Sequence, residues 1–564
     1  MDLQRFWIVI LIMVSGCSPE RPQRLVMISM RGVSAEDVRA LTQQGILKAD
    51  GGFLTMSANG FAADYLEPIY NPETAPEMAT FESGAWPSRH GIVGNTFYRS
   101  NPPASELQYG YQTPLESETL WEASARQGKK VIRIGSLFAG TLSGVFSLAQ
   151  GEALGEAQWP LLKSTRPAGS RTESFEYVRP FDSLHITVES DSVWRRSMAV
   201  HLIDTVFDGR ESYSAILLDD EGRQHRLHAS QWAAIELSAG IPRIGVWIKV
   251  MSVQNDSVRF YVRPPFRNRG SPSEFVERVE RLFGFCPGYP DIAAYVSGKI
   301  DAETLKEEIH RETLYAWRSA EHFLTEKNFD LMIVDYPLMD RYGHAFYDPG
   351  LTDSTNVWIE AYRHADRHLL ELFRKLPSNT GLLVSSGYGF YSSSRQIAFG
   401  GKPFAFPVAL TDDVEMAVSS VSAHVYLRGD SVREFSERLI EFFTALTDPS
   451  DSTAVVAEVR RSPTLDSLGL FHPQRSGHLW VRLNPGYTFR SDWKSTLSIA
   501  PSRFHGEHGY RGDRSRGVFY YTGPSLPPPR SRVLNAVDVA VTASAVLGLK
   551  PPRGSQGVSI FYQP

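Results

Sequence analysis

Short apolar runs alternate with helical patterns along much of this chain, and that alternation restricts the fold more than any other feature. RLVMISM (24–30) is followed by SAEDVRALTQQGIL, with Ser34 placed to cap a helix and Asp37 three residues later. ETLWEASARQGKK leads into VIRIGS, DLMIVDY precedes a helical pattern from about 353 to 376, and GLLVSS is another buried-strand run. Apolar runs without period-two alternation imply strands covered on both faces. The expectation is an α/β fold with a central, mostly parallel sheet and helices on both sides. In such sheets the chemistry lies beyond the carboxyl ends of the strands.

Two stretches break this rhythm. From about 165 to 272 the pattern becomes period-two, in LHITVES, SYSAILLDD, IGVWIKV and DSVRFYVRPP, which predicts antiparallel strands in a β-rich insertion. Between about 403 and 485, SAHVYL, the helical SVREFSERLIEFFTAL, AVVAEV and GHLWVRL predict a small α+β lobe. The core resumes with GVFYYTGPSL and a last helix in NAVDVAVTASAVLG, ended by Gly548 and a proline pair. The expected plan is core segments at 24–164, 273–402 and 486–564, interrupted by the insertion at 165–272 and the lobe at 403–485.

The first residues, MDLQRFWIVILIMVSGCSPE, hold Arg5, nine apolar residues from Phe6 to Val14, and then small residues before Cys17. Nine residues are too few to span about 30 Å of hydrocarbon as a helix, so 1–16 is expected to be a leader and 17–23 a linker. The ending Val14-Ser15-Gly16-Cys17 resembles a bacterial lipoprotein box, which implies a lipidated Cys17, and Ser18 in place of Asp goes with outer-membrane sorting. The expected location is the cell envelope, facing the periplasm and held to the membrane by that lipid. Only Cys286 then remains, so no intramolecular disulfide is available. With 58 Lys+Arg against 63 Asp+Glu and no long basic run, the chain has no electrostatic footprint for a nucleic-acid polymer.

Asp340 and His344 stand four residues apart just after DLMIVDY, and His508 lies between two glycine-containing turns in FHGEHGYRGD. Singly, each is an ordinary polar loop residue; together, one Asp and two His form a common ligand set for a catalytic zinc with an open position. Thr74 precedes a proline and a predicted helix in NPETAPEMATFESGAWPSRHGIVGN. Its hydroxyl is either a helix cap or a group presented to a phosphate at a helix N-terminus.

These segments resemble the type I phosphodiesterase/nucleotide pyrophosphatase family of the alkaline phosphatase superfamily. SGAWPSRHGIVGN is similar to its Thr-Gly-x-x-Pro-x-x-His-Gly-Ile segment, and counting back nine residues from Ser83-Gly84 reaches Thr74, the place of the family's nucleophile. Asp340-Arg341-Tyr342-Gly343-His344 is similar to the family's Asp-x-x-Gly-His, and His508-Gly509-Tyr510 to its late His-Gly-Tyr. The resemblance implies an alkaline phosphatase-like fold and hydrolysis of phosphate esters, with zinc on Asp340, His344 and His508.

The second metal site of the family is where the likeness breaks. Arg31 stands where its first-strand Asp is expected, and Gly387-Tyr388 stand where its Asp-His pair is expected. Three of that site's four ligands are thus replaced, so about one zinc per chain is expected and Thr74 lacks the ion that would activate it. Arg31 could balance charge and clamp a phosphate oxygen, and Glu77 is either a general base or a solvent-facing helix residue. The leading reading is a divergent phosphodiester hydrolase acting on a small phosphate ester or an envelope component. The alternatives are a catalytically silent binder of an anionic envelope ligand, or a phosphoryl transferase.

Overall fold

A computed structural model describes residues 22–561, except 100–105, 139–141, 164–173, 176, 190–192, 239–242, 353–354, 402–403, 405–413, 429–431 and 525–528. The expected leader and Cys17 lie outside the described residues. Seven strands place the site: β1 (Arg24–Ser29), β2 (Val131–Ser136), β3 (Val145–Ala153), β4 (Phe266–Ser271), β5 (Leu331–Asp335), β6 (Thr380–Ser385) and β7 (Phe519–Thr522). They lie side by side in the order β7-β6-β1-β5-β2-β3-β4. The five from β6 to β3 are mutually parallel, and β7 and β4 close this block antiparallel at either side. The expected α/β class with a mostly parallel centre is therefore what the chain adopts.

Both faces of the sheet are covered, which explains the unbroken apolar runs. Val26 and Ile28 of β1 pack with residues of α1 (Ala35–Gln43), α3 (Ala302–Glu326), α4 (Leu338–Phe346) and α5 (Val357–Lys375). Leu25 and Met27 point the other way, against α2 (Thr74–Ser83) and α6 (Asp538–Val546). In α5, Trp358, Tyr362, Ala365, Leu369 and Leu372 recur at helical spacing and are fully buried. Burying each large apolar side chain of this kind contributes roughly 1.5–3 kcal/mol. At α1, Ser34 accepts from the Glu36 and Asp37 amides as expected for a cap. Asp37 does not reach back to close a capping box, however; its carboxylate accepts from Trp358 and Tyr362 and pairs with Arg514.

The β-rich stretch is joined to this sheet rather than appended to it. Strands Ile244–Gln254 and Ser257–Val262 extend the central sheet beyond β4, while five strands between Tyr177 and His228 form a separate sheet. The two share an apolar core that includes Ile186, Leu202, Ile248 and Phe260. The consequence for function is that β4, the last strand of that stretch, borders the parallel block. Four strands between Val414 and Leu483 form a small antiparallel sheet, and Leu439 and Phe443 of helix Val432–Ala445 bury against it. No helix among the described residues is long and apolar enough to cross a membrane.

Candidate active site

The carboxyl ends of β1, β5 and β6 meet in one place because the strands are parallel and in register: Ser29 lies beside both Asp335 and Ser385. Past β1 the chain turns at Gly32, whose φ of +94° a side chain rarely adopts and whose Cβ would lie 2.7 Å from the Phe390 ring. That turn leaves Arg31 buried against the end of β5. Its guanidinium makes a bidentate pair with Asp335 at 2.9 and 3.0 Å, and a third nitrogen lies 2.9 Å from Asp340 Oδ2. Burial opposes the charged guanidinium, but the two carboxylates outweigh it.

Asp340 and His344 lie on α4, a short helix that the loop expectation missed; four residues apart, they share one face. His508 follows the short strand Gly506–Glu507. The structure brings the three together, with one ligand atom from each all within 4.8 Å of one another. His344 Nε2 lies 3.8 Å and His508 Nε2 3.9 Å from Asp340 Oδ1. Both rings are oriented from behind: His344 Nδ1 lies 3.2 Å from the Gly506 carbonyl and His508 Nδ1 3.1 Å from the Pro72 carbonyl. Donating from Nδ1 leaves each Nε2 lone pair free to face Asp340, the arrangement metal-ligating histidines require. Burial pushes His508 down to about 3, so it is neutral. Burial also works to raise the Asp340 carboxyl, yet Arg31, His344 and Arg341 hold it well below the usual range. Glu507 is buried beside them, with Oε1 3.7 Å from His344 Nδ1 and Oε2 lacking any hydrogen-bond partner among the described residues. Two imidazoles turned with Nε2 towards an ionised carboxylate, beside an orphaned acidic oxygen, fit a divalent cation.

Thr74 does not cap α2. The cap position is Glu73, which makes no side-chain cap bond, and Thr74 is the first helical residue. Its Oγ1 is 3.2 Å from the Tyr388 hydroxyl and 3.3 Å from His508 Nε2. Tyr388 carries structure that its sequence position did not reveal. Its ring stacks on His508 with centroids 3.9 Å apart, and its hydroxyl donates to Asp340 Oδ1 at 3.0 Å. Burial raises Tyr388 well above its ordinary value, so it remains a donor.

Glu77 takes neither of its expected places. It is fully buried, not solvent-facing, and it does not line the cleft. Oε2 accepts from the Ile69 amide at 3.1 Å, and Oε1 fills the space a side chain at Gly387 would occupy, 2.2 Å from an added Cβ. The carboxyl is pushed well up by burial, which suits a protonated structural acid rather than a base at the reacting centre.

Arg31, Thr74, Asp340, His344, Glu507 and His508 border one cleft of about 960 Å³. Asn95 lines it too: its Oδ1 accepts from the Ala75 amide, which leaves its NH2 as a donor to the cleft. Sequence reasoning passed over Asn95 and Asp335. Asp335 had a legible signal, a carboxylate ending a buried strand, but its partner could be named only once β1 and β5 were known to be neighbours.

The profile described as Type I phosphodiesterase / nucleotide pyrophosphatase matches residues 25–511. Among solved structures, the chain is similar to murine ectonucleotide pyrophosphatase / phosphodiesterase 5, solved as an inactive variant in complex with AMP. The identity is 12%, the match covers 94% of this chain and 96% of that one, and the TM-score is 0.49. The chain belongs to the type I phosphodiesterase/nucleotide pyrophosphatase family, with the alkaline phosphatase-like α/β fold of that family.

Proposed function

We propose that the chain is a metal-dependent phosphodiester hydrolase working with one cation site, on Asp340, His344 and His508. The observation that carries this reading is the convergence of those three ligand atoms, within 4.8 Å of one another, in the cleft that also holds Thr74. Zinc bound there would supply Lewis-acid polarisation of a phosphoryl oxygen. The chain's own groups do the rest. Asn95 offers a donor to a phosphoryl oxygen. Arg31 supplies fixed positive charge beside Asp340, and Tyr388 holds the Thr74 hydroxyl at the cleft edge. Thr74 Oγ1 is the nucleophile or a substrate contact, 3.3 Å from His508 Nε2, whose lone pair the cation would take.

In this reading the substrate is a small phosphate ester or an envelope component, and Cys17 carries the lipid that holds the protein to the outer membrane on its periplasmic side. Metabolic labelling with a fatty acid, compared between the parent and Cys17→Ser, tests the anchor. For the activity, metal content and turnover of bis(p-nitrophenyl) phosphate are measured together on the parent and Asp340→Ala. About one zinc per chain and turnover, both lost in the variant, are expected. Unchanged turnover in Asp340→Ala sinks the metal role.

A second reading rests on one observation: both oxygens of Asp340 are already engaged, Oδ1 by Tyr388 and Oδ2 by Arg31. A silent protein that binds an anionic ligand would tolerate that arrangement. Tight ligand binding without turnover at any metal or pH favours it, whereas release of product to an added alcohol rather than water favours phosphoryl transfer.

A further inference from the structure

Three arginines line the cleft, and two are committed. Arg31 is held by Asp335 and Asp340, and Arg341 by a bidentate pair with Glu312 at 3.0 and 3.1 Å. The third, Arg269 on β4, is exposed and has no ion-pair partner among the described residues. Two positions earlier, Arg267 is paired at 2.6 Å with Glu152 of the neighbouring β3, so a carboxylate is present where a structural pair is made. The pairing of β4 with β3 is irregular between these two arginines, where the register runs from Arg267 opposite Glu152 to Arg269 opposite Ala149. Three β3 positions are spanned there against two on β4, so the extra residue lies in β3, whose Ala149, Gln150 and Gly151 line the cleft with Arg269.

On the strands beside Arg269 the cleft wall carries hydrogen-bonding side chains and no acid, with Ser136, Ser147, Gln150 and Ser271 set among apolar residues and glycines such as Phe138 and Gly270. The acidic residues lining the cleft are Asp340 and Glu507, both at the metal-ligand end. An unpaired guanidinium among hydroxyls and an amide complements an oxyanion, since charge-assisted bonds to arginine are strongest with carboxylate or phosphate. At about 960 Å³ the cleft exceeds what a phosphoryl group alone would fill.

We propose that Arg269 forms a second anion subsite, which reads a carboxylate or phosphate carried on the part of the substrate remote from the scissile ester. The inference rests on the hydrolase reading for the position of the phosphoryl group, at the Asp340 end. Arg269 is then a specificity residue: it selects substrates with a second negative charge and takes no part in bond breaking. Because β4 closes the β-rich stretch, that stretch contributes substrate choice to the cleft.

The test is binding of ω-phosphonocarboxylates of increasing chain length to the whole purified chain, each compared with the alkylphosphonate lacking the carboxylate. At one chain length the parent should bind the phosphonocarboxylate about tenfold tighter than its control. Arg269→Gln should erase that gain while leaving alkylphosphonate affinity unchanged, and Arg269→Lys should keep part of it. The proposal is overturned if no length shows a gain in the parent, if the gain survives in Arg269→Gln, or if that variant weakens both ligand classes equally. Since these ligands are not hydrolysed, a length-dependent gain without diester turnover supports the subsite while refuting the hydrolase reading.

Discussion

Arg31→Met should reveal how far a side chain has taken over the work of a cation in this site. The guanidinium is 3% exposed and lies between Asp335 and Asp340, which are 6% and 2% exposed. Removing it leaves Asp335 without its two charge-assisted bonds. Asp340 is less affected, because Tyr388 remains at 3.0 Å and Arg341 at 3.4 Å. Breaking a buried pair by deleting one partner costs about 3–5 kcal/mol, because the other charge stays buried. Most of that loss should be traceable to Asp335. In a double-mutant cycle with Asp335→Asn, a coupling energy of about 2 kcal/mol or more is expected, and the double variant should recover part of the single variant's loss. The assay is urea unfolding followed by tryptophan fluorescence, run with chelator and with added zinc. Zinc should stabilise Arg31→Met more than the parent, since a cation repelling the ion has been removed and bound ligand stabilises by mass action. A coupling below about 0.5 kcal/mol, or a smaller zinc effect in the variant, would refute the idea that Arg31 acts as a built-in cation.

Buried neutral histidines predict acid sensitivity. His424 donates from Nε2 to the Val93 carbonyl and accepts the Gly477 amide at Nδ1, and burial lowers it to about 4. His90, lowered to about 3 by burial, likewise accepts the Ile92 amide at Nδ1. With folded values below the unfolded one, their stability is complete above pH 6.5 and is lost as pH falls. Each should cost about 1.4 kcal/mol at pH 5.5 relative to pH 8, and urea midpoints of His424→Asn should show a correspondingly shallower decline. Glu77 has the opposite sign: its folded value lies above its unfolded one, so stability is lost as pH rises above about 4.5. Glu77→Gln should therefore gain relative to the parent as pH rises, by up to about 1.4 kcal/mol per unit, and a constant difference from pH 4.5 to 7.5 would contradict a protonated buried acid. Gly387→Ala, whose Cβ meets the Glu77 carboxyl at 2.2 Å, should lose about 1–3 kcal/mol in thermal or urea unfolding, relieved when combined with Glu77→Ala.

The sequence by itself determined the α/β class, because strands covered on both faces must be apolar throughout, and Val26 and Ile28 face one core while Leu25 and Met27 face the other. It also named the candidate triad, since Asp340 and His344 stand four residues apart just after a strand and His508 belongs to a recognisable motif, while the helix that puts the first two on one face came from the structure. The resemblance likewise pointed to Arg31, Gly387 and Tyr388 as residues standing where the family's other ligands are expected, and these replacements were legible as a list of residues. What those replacements do was decided only by tertiary structure. The pairing of Arg31 with Asp335 depends on β1 and β5 being parallel neighbours, separated by about 300 residues of chain. The stacking of Tyr388 on His508 and the entry of Glu77 into the space beside Gly387 depend on how the loop after β6 packs on α2. That Arg269 lines the cleft depends on β4 pairing with β3 at the border of the parallel block, a long-range neighbourhood that leaves no periodic trace. Local patterns record what a segment does with its own period. Charge pairing and cavity shape record which distant segments become neighbours, and that is settled only when the sheet is assembled.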